Sequence, residues 1–426
     1  MKTLLIRNGR VIDPATQRDH VADLFIADGH IVDSGTVTRT ADTIIDAGGC
    51  VVAPGLIDCH VSFGEPGFDE DETIATGGAA ALAGGFTTVA CLPSTSPVLD
   101  TRASAEFIIR QGERAGQCRV FPLGAVTKGL AGLELAEIGQ LIDGGAIAFS
   151  DGKQAIANAE IMRRALQYTG MWNKPVLHHA QVPELVHGGI MHEGFHSTVF
   201  GLQGIPAAAE EIMVRRDVAL AETTGGHVHL MSLSSLRSVD EVRRAQARGL
   251  RVTADVTPHH LLLTDECLSG YDAHYKVNPP VRTAEHRDAL IEGLKDGTIS
   301  IIASDHQPVA NEKKHVEIDR SPFGMIGLET LLPLCVEALI QPGHLTWMQL
   351  LSKLTIGPAQ LLGLPTGTLK PGALADITII DPNRTWAIDT SRFRSRSRNT
   401  PFDGRAVVGS IRATIVNGEI KYQESA

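Results

Sequence analysis

No C-x-x-C pair and no clustered set of thiols occurs in this chain: its six cysteines, Cys50, Cys59, Cys91, Cys118, Cys267 and Cys335, are scattered through 426 residues. That spacing excludes a disulfide framework and a thiolate zinc knuckle, and it fits buried thiols in a reducing compartment. Long apolar runs are missing as well. Nothing approaches the roughly 18 consecutive apolar residues of a membrane span. The opening Met1-Lys-Thr-Leu-Leu-Ile-Arg7 has only three consecutive apolar residues, too few for a signal-peptide core, so a cytoplasmic location is expected. Positive charge is in deficit: 38 Lys and Arg against 49 Asp and Glu leave a net charge of −11. Such a surface suits neither nucleic acid nor an anionic membrane, which leaves small molecules and protein partners.

A second histidine is also missing where a familiar pattern asks for one. Pro54-Gly-Leu-Ile-Asp-Cys-His-Val-Ser-Phe63 has the shape of a short strand ending in His-x-His, with serine in the last place. Residues i and i+2 of a strand point to the same side. Paired histidines there would aim two imidazoles at one point, where neutral nitrogens hold Zn²⁺ at roughly 2.0–2.1 Å. Here that point receives His60 and the hydroxyl of Ser62, a poor ligand for such a metal. Taken alone, one histidine at a strand end reads as a structural, hydrogen-bonded side chain.

What is present is a globular composition, 43% hydrophobic and 20% charged, in a chain longer than the roughly 250–300 residues one core supports. One large domain with a smaller one is expected. The opening stretch alternates apolar and polar residues around Asn8-Gly9, Asp28-Gly29 and Gly48-Gly49, the pattern of short antiparallel strands. The closing stretch, with Ala375–Asp381 and Ile411–Ile420, does the same. Neither piece can bury a sheet face alone, so residues 1–54 and 366–426 are expected to pair into a small β-sandwich domain built from both termini. Between them, β-rich runs at Gly85–Leu92, Ala146–Ser150, Pro175–His178, His227–Met231, Val252–Val256 and Thr298–Ala303 alternate with helical stretches such as 158–168, 207–222 and 284–294. That order over residues 55–365 predicts an α/β fold, a (β/α)8 TIM barrel whose chemistry sits at the C-terminal strand ends. The basic run Ser391–Arg398 reads as a solvated loop.

At those strand ends stand His60, Asp151, His178-His179, His229 with Ser232, His259-His260 and Asp305-His306. They occur beside Glu65-Pro-Gly67, Thr257–Asp265, Val277-Asn-Pro-Pro-Val-Arg282, Asp305-His-Gln-Pro308, Ser321-Pro-Phe-Gly324 and Asn399-Thr-Pro-Phe402. The set resembles the amidohydrolase superfamily and, within it, the dihydroorotases of the longer, bacterial type I kind. The resemblance covers essentially the whole chain. Hydantoinases and allantoinases share some of the pieces, with barrel metals bridged by a carboxylated lysine. The dihydroorotase resemblance implies reversible cyclisation of N-carbamoyl-L-aspartate to dihydroorotate in pyrimidine biosynthesis. Two divalent metals would lower the pKa of a bound water, and a catalytic Asp305 would move the proton.

The resemblance also implies six metal ligands: the His-x-His pair, a strand-four aspartate bridging both ions, histidines at strands five and six, and a strand-eight aspartate. The matching positions are His60 and Ser62, Gly152, His179, Ser232 and Asp305, so only His60, His179 and Asp305 persist. If a four-ligand zinc site is worth roughly 10–16 kcal/mol, each ligand carries on the order of 3 kcal/mol, and two missing from each site leave neither ion bound. No cofactor is expected; zinc is the ion implied for a centre that functions after all. Asp151 replaces the lost bridge only through a one-residue slip, and His229 is expected to face away from the centre with it. Lys153 reads as a solvated loop lysine rather than a carboxylated bridge, and His178 and His259-His260 read as makers of structural hydrogen bonds. Substrate recognition is thinned in parallel. The family's carboxylate-binding arginine, strand-three asparagine and closing histidine fall on Gly64, Ser94 and Val309, while the substrate-binding Asn278 and the backbone of Phe323 and Gly324 persist.

Residues that shape the barrel remain while those that do chemistry are small or apolar, and a fold kept without its site suggests that another surface is in use. The chain therefore resembles most the noncatalytic dihydroorotase-like protein that some bacteria pair with aspartate transcarbamoylase. The expected partners are that enzyme's catalytic chain and a second copy of this one, a homodimer within a larger assembly. Two alternatives stay open: an active dihydroorotase or related cyclic amidohydrolase with an altered metal site, and a metal-free module that senses a pyrimidine intermediate at the barrel mouth.

Overall fold

The computed structural model describes residues 2–32 and 41–424. Eight strands lie side by side in chain order: Leu56–Val61, Phe86–Cys91, Arg119–Gly124, Ala148–Phe149, Val176–His178, Val228–Leu230, Val252–Val256 and Ile301–Ile302. They are called the first to eighth barrel strands. Every neighbouring pair is parallel. The eighth returns to the first: Ser304 N donates to Asp58 Oδ2 at 3.0 Å and Ser62 N to the His306 carbonyl at 2.9 Å. The result is a nearly closed parallel barrel.

Parallel strands in such a barrel are buried on both faces, and all six residues of the first and second strands are buried. Ile57, Cys59, Ala90, Leu123, Leu177, Met231 and Ile301 fill the interior. Leu56, Val89, Phe149, Val228 and Leu230 join the larger core that includes the surrounding helices. Those helices carry local start and stop signals. Asn158 caps Ala159–Gly170 by accepting from the amides of Glu160 and Ile161. Ala207–Thr224 ends at Gly225, whose φ of 69° is left-handed, as helix-ending glycines favour.

A second sheet, also of eight strands, joins the two ends of the chain. Val51–Pro54 pairs antiparallel with the start of Ile377–Ala387, while Thr3–Asp13 pairs with Arg18–Ala27 on its other side. Leu4, Ile6, Val11, Val52, Ile377, Ile379 and Ile415 make its own core. The Asp28-Gly29 turn places both residues at positive φ, 48° and 78°, the two-residue hairpin geometry that Asp-Gly supplies with least strain. No described helix is long and apolar enough to cross a membrane. All six cysteines are free thiols, and five are buried.

Candidate functional site

The first strand breaks its alternation where the chemistry begins. Asp58 lies opposite Val89, but Val61 lies opposite Cys91, so one extra residue is accommodated at Cys59-His60, a β-bulge. Both side chains reach one oxygen of the seventh strand: Cys59 Sγ is 4.0 Å and His60 Nε2 2.9 Å from Asp255 Oδ2. His229 of the sixth strand meets the same oxygen, its Nε2 at 2.8 Å, while its Nδ1 lies 2.9 Å from Thr253 Oγ1. This corrects the expectation that His229 faces away. Val228 and Leu230 pack outward among the helices, so His229 and Met231 take the inner phase. Asp255 Oδ1 accepts from Ser232 N at 2.8 Å.

No part of this layer meets solvent: His60, His229 and Asp255 are all 0% exposed. Burial by itself would raise the Asp255 carboxyl, but the facing imidazoles of His60 and His229 outweigh it and hold the group well below the usual carboxylate range. Burial would lower His60, and Asp255, Asp305 and Asp58 together reverse that and raise it. The two shifts describe one buried ion pair.

Above this layer stands Asp305, just past the eighth strand with φ 50°. His60 Nδ1 is 3.6 Å from its Oδ1. Its principal partner is Lys153, whose ammonium lies 2.8 Å from Oδ1, 2.9 Å from Oδ2 and 3.0 Å from the Asn278 carbonyl oxygen. Lys153 is therefore not a solvated loop lysine, and the sequence expectation is corrected. Gly152, at φ 62°, turns the chain so that the next side chain folds back over the barrel mouth. His179 is buried with neither ring nitrogen bonded. Burial first, and the Lys153 charge second, pull it well below its usual value and leave it a neutral imidazole. Ser232 Oγ, His259 Nε2 and Asn278 Oδ1 are likewise buried without partners.

The small residues at the altered positions are packed, not merely short. A Cβ on Gly64 would collide with the backbone oxygen of Phe68, because the Phe68 amide donates to the Gly64 carbonyl at 2.7 Å in a tight loop. A Cβ on Gly152 would meet the hydroxyl of Ser94. Val309 is buried and its amide donates to Asn399 Oδ1 at 3.0 Å. Asp151 does not take the bridging place: it accepts from the amides of Val126 and Thr127 at 2.8 and 3.0 Å and from the Thr127 hydroxyl. His178 sits between Asp217, at 2.6 Å, and the Ile156 amide, at 2.9 Å. His260 bonds Thr257 Oγ1 at 2.7 Å and the Pro279 carbonyl at 3.0 Å.

The loop over the mouth is tied down by two buried lysines that the sequence reading did not single out. Lys276 Nζ donates to the carbonyls of Ile318, Asp319 and Ser321 at 2.7, 3.2 and 2.7 Å, and Lys314 Nζ to those of Pro322 and Gly324 at 2.8 and 2.9 Å. The Phe323 ring lies 4.9 Å from the Lys276 ammonium. Gly324 also donates its amide to the Lys276 carbonyl at 2.9 Å, so both of its backbone polar groups are engaged. Replacing Lys276 with methionine strands three carbonyls. The expected cost is on the order of 3 kcal/mol, read as a lower melting temperature and faster proteolytic cleavage between residues 311 and 320.

Residues 51–421 match the model of the amidohydrolase family. Over 422 residues, 99% of both chains, the sequence is 51% identical to a protein of Pelotomaculum thermopropionicum named dihydroorotase. The chain belongs to the amidohydrolase superfamily and, within it, to the dihydroorotase family. Proteins of the same name from Solibacter usitatus and Acetivibrio thermocellus are 46% and 44% identical, again over 99% of each chain. Among solved structures, an L-hydantoinase (dihydropyrimidinase) from Arthrobacter aurescens matches with a TM-score of 0.88 at 26% identity, covering 100% of this chain and 97% of that one. A D-hydantoinase at 21% identity and TM-score 0.84 shares the fold.

A dihydroorotase-family barrel implies a pair of divalent ions, and the residues present do not fit that centre. Of the three donors that persist, Asp305 has both oxygens on the Lys153 ammonium, His60 has Nε2 on Asp255 and an unbonded Nδ1 3.6 Å from that capped Asp305, and His179 has both ring nitrogens unbonded, too few free donors for two ions. Among the described residues, one trio, Cys59, His60 and Asp255, has donor atoms within 4.8 Å of one another. That trio is fully buried, and Asp255 Oδ2 already accepts from two imidazoles. Burial, then the Asp255 charge, pushes the Cys59 thiol well up, and its sulfur lies 4.0 Å from the same Asp255 oxygen. The trio is a hydrogen-bonded core.

Proposed function

We propose that this dihydroorotase-family chain does not itself cyclise carbamoyl aspartate and serves pyrimidine biosynthesis as a noncatalytic structural partner of aspartate transcarbamoylase. In this reading it binds the transferase catalytic chain as a homodimer within a larger assembly. Residues 55–365 form the barrel, and 1–54 with 366–426 form a β-sandwich beside it. The observation that carries the reading is the Lys153 ammonium on Asp305, with contacts of 2.8 and 2.9 Å. An active family member needs that carboxylate as ligand and proton carrier; here both of its oxygens lie on the Lys153 ammonium. The packed Gly64 loop supports the same conclusion from the substrate side, since no guanidinium can grow from that position.

The purified chain is expected to hold under about 0.2 divalent metal per chain, following the ligand arithmetic. It should turn over neither dihydroorotate nor carbamoyl aspartate, and should co-elute with the co-expressed transferase catalytic chain. Stoichiometric metal with dihydroorotate hydrolysis would sink the noncatalytic reading, and separate elution would sink the partnership. A second reading is favoured by relatives of 43–51% identity that carry the name dihydroorotase. It makes the chain an active dihydroorotase or cyclic amidohydrolase with an altered, zinc-holding site. In that case the same assay returns turnover that a chelator abolishes.

A further inference from the structure

Two buried carboxylates flank His60 where the first, seventh and eighth barrel strands meet: Asp255, 2.9 Å from Nε2 and 0% exposed, and Asp305, 3.6 Å from Nδ1 and 5% exposed. Buried carboxylates need a compensating cation. The fourth and eighth strands stand half a turn apart in an eight-stranded barrel, so a side chain leaving the fourth and reaching the end of the eighth crosses the mouth. Lys153 does so, and on the way its ammonium also holds the Asn278 carbonyl in the connection between the seventh and eighth strands.

We propose that Lys153 is the resident cation of this centre: its ammonium balances Asp305, ties the fourth and eighth strand ends to the Asn278 connection and excludes divalent metal ions. The donor count fits an ammonium. An ammonium has three N–H groups, and three acceptors surround this nitrogen at 2.8, 2.9 and 3.0 Å. A carboxylated lysine has one N–H, and its carboxylate would face Asp305 and a carbonyl oxygen, anion against acceptor in a shielded site. One local change accounts for both the lost ligand and the new cation. Glycine at 152 removes the bridging carboxylate, and its φ of 62° with no Cβ against Ser94 is what lets the following lysine swing inward.

This inference deepens the noncatalytic reading and rests on it, but its test needs neither turnover nor transferase. Ser62→His and Ser232→His are introduced together, with and without Lys153→Met, and metal is measured after incubation with Zn²⁺ and desalting. The chain that keeps Lys153 is expected to stay under about 0.2 ion per chain, and the chain carrying Lys153→Met to take up at least fivefold more. Equal loading of the two overturns the proposal. In the unaltered chain, ¹³C-bicarbonate is expected to give no lysine carbamate NMR signal; a Lys153 carbamate with bound metal overturns it as well. Should the histidine variants fail to fold, Lys153→Met alone decides. Amide hydrogen exchange around residues 152–156 and 276–282 is expected to quicken at least tenfold, and unchanged protection refutes the loop-tying role. Failure to bind the transferase, with these results in place, would discard the partner and leave the cation.

Discussion

Asp255→Ala is expected to destabilise the chain by about 3–5 kcal/mol, the range for removing one partner of a buried ion pair. The expected readout is a melting temperature lower by roughly 3–6 °C. The carboxylate accepts from His60 at 2.9 Å, His229 at 2.8 Å and the Ser232 amide at 2.8 Å, and none of these groups can turn to water. Asp255→Asn keeps one acceptor oxygen and should recover part of the loss. The pH dependence has a definite sign. Asp255 is held below its ordinary value, so its contribution is present above the unfolded pKa near 3.9 and disappears as pH falls through the folded value. His60 is raised, so its contribution is full below the unfolded pKa near 6.5 and disappears as pH rises through the folded value. The gap between unaltered and Asp255→Ala chains should therefore be widest between about pH 4 and 6.5. Equal melting temperatures across that window would contradict the buried pair.

Restoring Ser62→His, Gly152→Asp and Ser232→His together is expected to leave dihydroorotate kcat/KM at least about a hundredfold below that of an active dihydroorotase assayed in parallel. One deficit remains after the ligands return, because Gly152→Asp also removes the glycine that lets Lys153 swing inward. The substrate carboxylate still lacks its arginine, a bidentate pair of charge-assisted bonds worth roughly 1.5–3 kcal/mol each, or about 10²–10⁴ in rate or affinity. Grafting it is blocked, because any Cβ at Gly64 runs into the Phe68 backbone; Gly64→Arg alone should lower the melting temperature by several degrees. That deficit puts kcat/KM on the order of 10²–10⁴ below that of the parallel enzyme. Turnover within tenfold of that enzyme would show that the ligands alone were missing.

Much of the frame was legible residue by residue. The helices expected at 158–168, 207–222 and 284–294 occur at Ala159–Gly170, Ala207–Thr224 and Ala284–Lys295. Asn158 and Gly225 mark their ends by local hydrogen bonding and left-handed φ. The third barrel strand was harder to see. Arg119–Gly124 carries Pro122 within it, a residue that argues against a central strand because it gives the sheet no N–H. At the site, Asp255 escaped notice although the sequence held a signal: Thr253 and Asp255 are polar residues two apart in an otherwise apolar strand, hence on one inward face. His229 faces inward although it stands an odd number of positions before Ser232, because Ser232, with a φ of 53°, already lies outside strand geometry.

Residue type and period are local, and by themselves they determined that strands alternate with helices, that both ends of the chain are β-rich, and that serine and glycine stand where ligands are expected. Which groups face one another is not local. Lys153 and Asp305 are 152 positions apart, and His60 and Asp255 are 195 apart. They meet only because the barrel closes, a bulge turns His60 inward and Gly152 takes a left-handed φ. Those choices are made by packing across the whole molecule, so only the tertiary structure could decide that an ammonium lies against Asp305.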